Sequence, residues 1–349
     1  MTAAEKLQGM TLSNGWRVAR HLGRNLNATG GTFSQSYEVV KAGRVGFLKA
    51  FDFRRAFEPG VDTLSAIQIL TSQYVHEKEV LEHCRDRRLS NVVLAIDHGE
   101  VDVPGMGAIE GRVFYLIFEM ADGDVRCQMD ISNSFDSLVC MRAIKDVTLG
   151  LWQVHKEMIA HQDPKPSNVL VYGGEGFKVA DFGSSSRRGH PVHHDSFPVA
   201  GDRTYAPPEL LYGFTHPDFA PRRMGCDLYM LGNLAAFLFS GVNITANLLA
   251  HVAPQHHPRN WQGSYDEVLP YLQNAFTLVL EDLSPLVEER VRSEIVTLVG
   301  DLCTPDLARR GHPKGVGRND QFSLERYVSR FDVVVRRLQF DLRLARPAL

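Results

Sequence analysis

A basic excess, paired cysteines and a long apolar run are all missing from this chain. Lys and Arg number 38 against 41 Asp and Glu, a formal net charge of −3, so the global balance argues against a nucleic-acid backbone or an anionic membrane as partner. The five cysteines (Cys84, Cys127, Cys140, Cys226, Cys303) are odd in number, scattered and without a CxxC pair. That pattern argues against a disulfide framework and predicts reduced thiols in a cytoplasmic protein. The most apolar run, 228–241, is too short to cross a bilayer and predicts a buried helix. The opening MTAAEKLQGM lacks the basic-then-apolar build of a signal peptide, and no internal repeat stands out. What is there is a chain of 349 residues, 44% hydrophobic and 23% charged, long enough to bury a substantial core without staples.

The densest chemistry lies in 161–183, HQDPKPSNVLVYGGEGFKVADFG. Asp163, Lys165, Asn168 and Asp181 surround two short β-like runs, 169–172 and 177–180, joined by a Gly-Gly-Glu-Gly turn. A hairpin there would hold the polar groups on rigid strand ends. A carboxylate to receive a hydroxyl proton, a cation, and an Asn with an Asp to hold a metal are what phosphoryl transfer from a magnesium-bound nucleotide needs. This stretch resembles the eukaryotic-type protein kinase family: HQDPKPSN is similar to its HRDLKPxN catalytic loop and ADFG to its metal-binding motif. The resemblance implies an α+β, bilobal fold, with a small mainly-β N-lobe carrying one helix and a large mainly-α C-lobe. It implies ATP and Mg2+ as cofactors.

Upstream, 29–37 (TGGTFSQSY) lies between two strand-like runs, where the family has its glycine-rich loop. The match is degenerate: Gly31 is kept, while Thr29 and Ser34 stand at the other glycine positions. A plain hairpin fits the same residues. Gly31 and Ser34 are the expected phosphate contacts. The apolar strand 45–51 carries Lys49, either an edge-strand charge or the counterpart of the VAIK lysine that meets the nucleotide phosphates. Phe47 stands where the family usually has a small Ala against the adenine, which implies a narrowed pocket. A helix over 63–85, capped by Thr63 or Ser65, offers Glu77 as the partner of Lys49, with Glu79 as the fallback because alternating acids blur the register. Residues 1–30 read as a polar leader and a first strand, and 52–62 as a surface loop. Runs 91–99 and 111–119 read as strands. The second leads into FEMADG, similar to the hinge between lobes, with Phe118 at the gatekeeper position and the backbone of Glu119 and Ala121 toward the adenine edge.

Downstream, apolar residues spaced by three and four predict a helix over 135–160. His155 in it and His161 after it read as satisfied structural histidines. Gln162 replaces the family arginine before Asp163, so a phosphate on the activation segment would find no guanidinium there; activity is expected without that phosphorylation. Pro-Pro-Glu at 207–209 stands for the family's Ala-Pro-Glu, implying that Glu209 pairs with Arg310. Asp202 holds the position where the Ser/Thr class has threonine, with Thr204 close by. Asp227, in CDLYMLG, is similar to the aspartate that braces the catalytic loop. The histidine pairs 193/194 and 256/257 lack a ligand pattern for metal. Residues 251–263 read as a loop, 264–303 as further helices, and 323–344 as an amphipathic basic helix.

The expected division is an N-lobe over 1–119, a C-lobe over 120–312 and a helical extension over 313–349 packed on the C-lobe. The expected function is ATP- and magnesium-dependent transfer to serine or threonine of a protein substrate, autophosphorylation included, with Asp163 and Lys165 catalytic, Lys49, Glu77, Asn168 and Asp181 binding the nucleotide, and Asn168 and Asp181 on the metal. Compact loops and the lack of appended domains point to a bacterial member. A pseudokinase scaffold and a small-molecule kinase are the alternatives, the latter opposed by the 207–209 motif and Arg310.

Overall fold

Alternating apolar residues and a tight turn build the first sheet. Strands β1 (Arg17–His21), β2 (Ser34–Lys41) and β3 (Arg44–Phe51) run antiparallel. Ala42 and Gly43 both take positive φ between β2 and β3, the geometry a two-residue hairpin turn demands. Strands β4 (Ala95–Asp102) and β5 (Arg112–Glu119) complete a five-stranded sheet in the order β1-β2-β3-β5-β4. The computed structural model describes residues 1–23, 34–126 and 136–345, and the chain divides into two compact units, Met1–Asp122 and Gly123–Leu349.

In the first unit, period-two burial puts Tyr37, Val39, Leu48, Ala50, Val113, Tyr115 and Ile117 on one sheet face. The N-terminal segment is no polar leader. Ala3, Ala4, Leu7 and Leu12 cover that face, Trp16 joins them, and the Tyr37 hydroxyl donates to the Ala4 carbonyl over 2.6 Å. Helix α1 (Thr63–Asp86) packs on β4, and Tyr74 bridges Phe51 and Phe114. Its N-cap is Asp62, with the Ser65 hydroxyl donating to the Asp62 carboxylate; neither Thr63 nor Ser65 caps it. The expected surface loop 52–62 contains a 3-10 turn, Arg54–Phe57, and buries Asp52, Phe53 and Ala56. Strand β4 begins four residues later than the apolar run suggests, because Val92 and Val93 are buried without joining the sheet ladder.

The second unit is helical. Helix α2 (Ser137–Lys156), capped by the Asp136 carboxylate on the Leu138 N–H, ends four residues before the predicted 160. Met158 at positive φ breaks it, and Ile159–Ala160 becomes a short strand, β7, following the two-residue β6 (Gly123–Asp124). Strands β8 (Val169–Tyr172) and β9 (Gly176–Val179) form the predicted hairpin, with β6 alongside β8; β10 (Ser186–Arg187) pairs with β7. After the single turn α3 (Pro208–Leu211), a π-helical turn, Ala220–Met224, leads into α4 (Gly225–Ser240). Among the residues of α4 only Phe237 and Ser240 escape full burial, so the apolar run is a core helix. No single described helix is long and apolar enough to cross a membrane. Helices α5 (Ile244–His251), α6 (Tyr265–Leu283) and α7 (Glu289–Leu302) follow. A 3-10 turn, Pro254–His256, interrupts the expected loop. Helix α8 (Glu325–Ala345) packs against α2, and its Arg337 holds Glu294 at 2.7 Å.

Candidate active site

Strand β3 is central in its sheet, so Lys49 is not an edge charge: its backbone is paired with Ser36 on one side and Leu116 on the other. Its Nζ reaches both carboxylate oxygens of Glu77, at 2.8 and 2.9 Å. Glu77 is 1% exposed, whereas Glu79 points to solvent, which resolves the register that alternating acids left open. Phe47 pairs with Phe118, ring centroids 6.4 Å apart. Ser34 opens β2, Glu119 takes an Arg44 guanidinium at 3.2 Å, and Ala121 follows β5. Gly31 lies outside the described residues.

In the second unit, 161–168 folds into a tight polar cluster. The Asp163 carboxylate takes the Asn168 amide at 3.0 Å and Lys165 Nζ at 2.9 Å, both on Oδ2, while Oδ1 accepts the Asp202 N–H at 2.9 Å. Lys165 also lies 3.4 Å from Asp202 Oδ2. Burial pushes the Asp163 carboxyl above its usual range; Lys165 and the Asp202 N–H pull the other way without cancelling it. Burial works against the Lys165 ammonium too, but Asp163, Asp202 and Asp181 outweigh it and raise its pKa. The cluster therefore keeps a charged lysine beside a carboxylate poised to take a proton.

Buried backbone must find partners, and here it finds side chains. Asp227, at the start of α4, is fully buried and accepts the His161 and Gln162 N–H groups at 2.7 Å each, with His155 Nε2 at 2.8 Å. His161 reaches the Ala180 carbonyl at 2.9 Å and stands edge-on to Phe182. The Ala180 N–H donates to the Asn168 carbonyl, tying the loop to Asp181, which sits at positive φ. Gly201 lies against the same loop. A Cβ there would stand 2.8 Å from Asp163 Cβ and 2.9 Å from its Oδ1, and closer still to the Gln162 carbonyl oxygen, so only glycine lets 201–202 approach. Farther on, Glu209 and Arg310 form a two-pronged buried pair at 2.5 and 2.8 Å.

A family model described as protein kinase domain matches residues 31–315, most of the chain. The chain belongs to the protein kinase family. Among curated proteins this kinase domain is similar to the cell division control protein 2 homolog 3 of Trypanosoma brucei brucei, 26% identical over 245 residues, covering 69% of this chain and 70% of that one. It is 28% identical over 197 residues to the CTD kinase subunit alpha of Saccharomyces cerevisiae, covering 54% of this chain and 35% of that one. A bacterial relative, the serine/threonine-protein kinase PkaB of Streptomyces coelicolor, is 24% identical over 191 residues, 52% of this chain and 44% of its own. The matched stretch thus spans most of the first relative and less than half of the other two.

Within this kinase domain the donor set fits magnesium. Asn168 commits its amide nitrogen to the Asp163 carbonyl and carboxylate, which turns its oxygen away from them. The Ala180 N–H bond to the Asn168 carbonyl brings Asp181 to the same loop, and the Asn168 and Asp181 side chains would offer hard oxygen donors of the kind magnesium prefers. The histidine pairs have other work: His194 Nε2 bonds the Ser185 carbonyl, His193 stands edge-on to Phe197, and His256 stacks on Tyr271. Gly201, Asp195 and Arg223 carry no role legible in the sequence, and that of Asp202 is open there. The class-threonine register marks Asp202, with Thr204 as its rival, and the Asp202 contacts to Asp163 and Lys165 favour Asp202; the others carry no local signal.

Proposed function

We propose that this chain transfers the γ-phosphate of ATP to serine or threonine hydroxyls of proteins, its own included, without needing a phosphate on its activation segment. The observation that carries the reading is the Asp163–Lys165–Asn168 cluster, a buried carboxylate held by a cation and an amide. Asp163 orients the acceptor hydroxyl and takes its proton as the oxygen attacks phosphorus. Lys165, kept charged by three carboxylates, offsets negative charge gathering on the transferring group. Lysine two positions after the base is the Ser/Thr pattern of the family, and Asp202 beside it stands in for the class threonine. When bound, magnesium would neutralise phosphate charge, and Asn168 with Asp181 would hold it. Lys49, fixed by Glu77, would meet the α- and β-phosphates. Asp202 stays ordered through its own bonds to Asp163 and Thr204, consistent with activity that needs no added phosphate.

The proposed lobes are 1–119 and 120–312, with 313–349 as an extension on the larger one, in a cytoplasmic protein that acts on neither nucleic acid nor membrane. Phe47 beside Phe118 favours a second reading, a pseudokinase that no longer turns over. Labelled ATP, magnesium and a generic protein acceptor, followed by phosphoamino-acid analysis of phosphatase-treated enzyme, decide between them. Label on serine or threonine supports the kinase, label on a metabolite alone a small-molecule kinase, and absence of turnover the scaffold.

A further inference from the structure

Gln162 removes the guanidinium that the family offers to an activation-segment phosphate, yet a guanidinium is still there. Arg223, in the π-helical turn before α4, donates from Nη1 to Gln162 Oε1 at 3.1 Å, and Gln162 Nε2 returns a bond to the Arg223 carbonyl at 2.8 Å. Arg223 is 3% exposed, and a buried cation needs a counter-charge. Asp195, in the activation segment, supplies it: Arg223 Nη2 lies 2.9 Å from Asp195 Oδ1 and 3.0 Å from its carbonyl. The widened turn presents consecutive arginines, so Arg222 also donates to the Asp195 carbonyl, at 2.6 Å. Asp195 in turn gathers its own segment, taking the Ser186 hydroxyl at 2.6 Å and the Val192 N–H at 3.0 Å. At the other end Gln162 Nε2 meets Asp227 Oδ1 at 3.2 Å, the oxygen that braces the residue before Asp163.

We propose that Asp195 is a built-in anionic anchor of the activation segment, its ion pair with Arg223 relayed through Gln162 to the catalytic loop in place of an added phosphate. The inference rests on the protein kinase reading above. Asp195, Arg223 and Gln162 are positioning residues: none takes part in the transfer itself. A carboxylate fixed in the chain cannot be removed by a phosphatase, so the segment is held permanently.

The test compares full-length wild type with Asp195→Asn, Asp195→Glu, Arg223→Met and the Asp195→Asn/Arg223→Met double variant, all phosphatase-treated. Asp195→Asn keeps shape and removes charge. Two readouts are taken: kcat and KM with a protein acceptor, and the rate of tryptic cleavage after Arg187 and Arg188, with thermal melts as the check on folding. We expect Asp195→Asn to lower kcat roughly 10- to 100-fold with KM for ATP unchanged, Asp195→Glu to recover most of it, and the double variant to be no worse than the weaker single variant. Cleavage should quicken at least ~10-fold in Asp195→Asn and slow again in Asp195→Glu. Wild-type kcat and cleavage in a folded Asp195→Asn variant would overturn the proposal, as would a double variant losing the product of the two single effects. If wild type transfers no phosphate, the kinase reading fails, and the cleavage series alone then decides the anchor.

Discussion

The Asp202 backbone N–H donates to Asp163 Oδ1 over 2.9 Å, so the activation segment itself holds one oxygen of the proposed base. The other oxygen is held by Lys165 and Asn168. Order in the segment and orientation of the base are therefore one property.

That contact depends on Gly201. A methyl group there would collide with Gln162 and Asp163, so Gly201→Ala is expected to push 201–202 off the loop. Phosphotransfer should fall at least ~100-fold, the size expected for a misplaced general base, while the melting temperature moves little. Steady-state kinetics beside a thermal melt checks this.

Burial raises the Asp163 pKa, and the base must be ionised to work. Activity is then lost as pH falls through that raised value, so the acidic limb of kcat/KM should lie above the ordinary aspartate value of about 3.9. A pH–rate profile with a limb at or below that value would count against Asp163 as the base.

Lys49 and Glu77 form a nearly buried pair in the first unit. Glu77→Gln keeps the size and removes the charge that fixes Lys49. Because the lysine is proposed to meet the nucleotide, KM for ATP should rise and kcat should fall, together costing roughly 10- to 100-fold in kcat/KM.

The Glu209–Arg310 pair is structural. Arg310→Met leaves a buried carboxylate without its partner, a loss of about 3–5 kcal/mol, which lowers the melting temperature on the order of 10 °C. Calorimetry of the full chain measures it.

Neighbouring residues were legible from type and spacing, whereas distant pairs were legible only where the family resemblance supplied them, as it did for Glu209 and Arg310, 101 positions apart. Asp163, Lys165, Asn168 and Asp181 lie in one stretch, so residue type and spacing exposed them. Lys49 and Glu77 are 28 positions apart; the family resemblance suggested the pair, and only the packing of α1 separated Glu77 from Glu79. Asp202 and Asp163 are 39 positions apart, and Gln162 and Arg223 are 61, distances over which no local pattern survives. The apolar run at 91–94 and the polar-looking N-terminus misled for the opposite reason: tertiary burial, not periodicity, decided both.

The most direct measurement is phosphate transfer from labelled ATP with magnesium to a protein acceptor by wild type and Asp163→Ala side by side. The account predicts serine or threonine label with wild type and at least ~100-fold less with the variant, at equal ATP binding. Equal labelling by both proteins would contradict it.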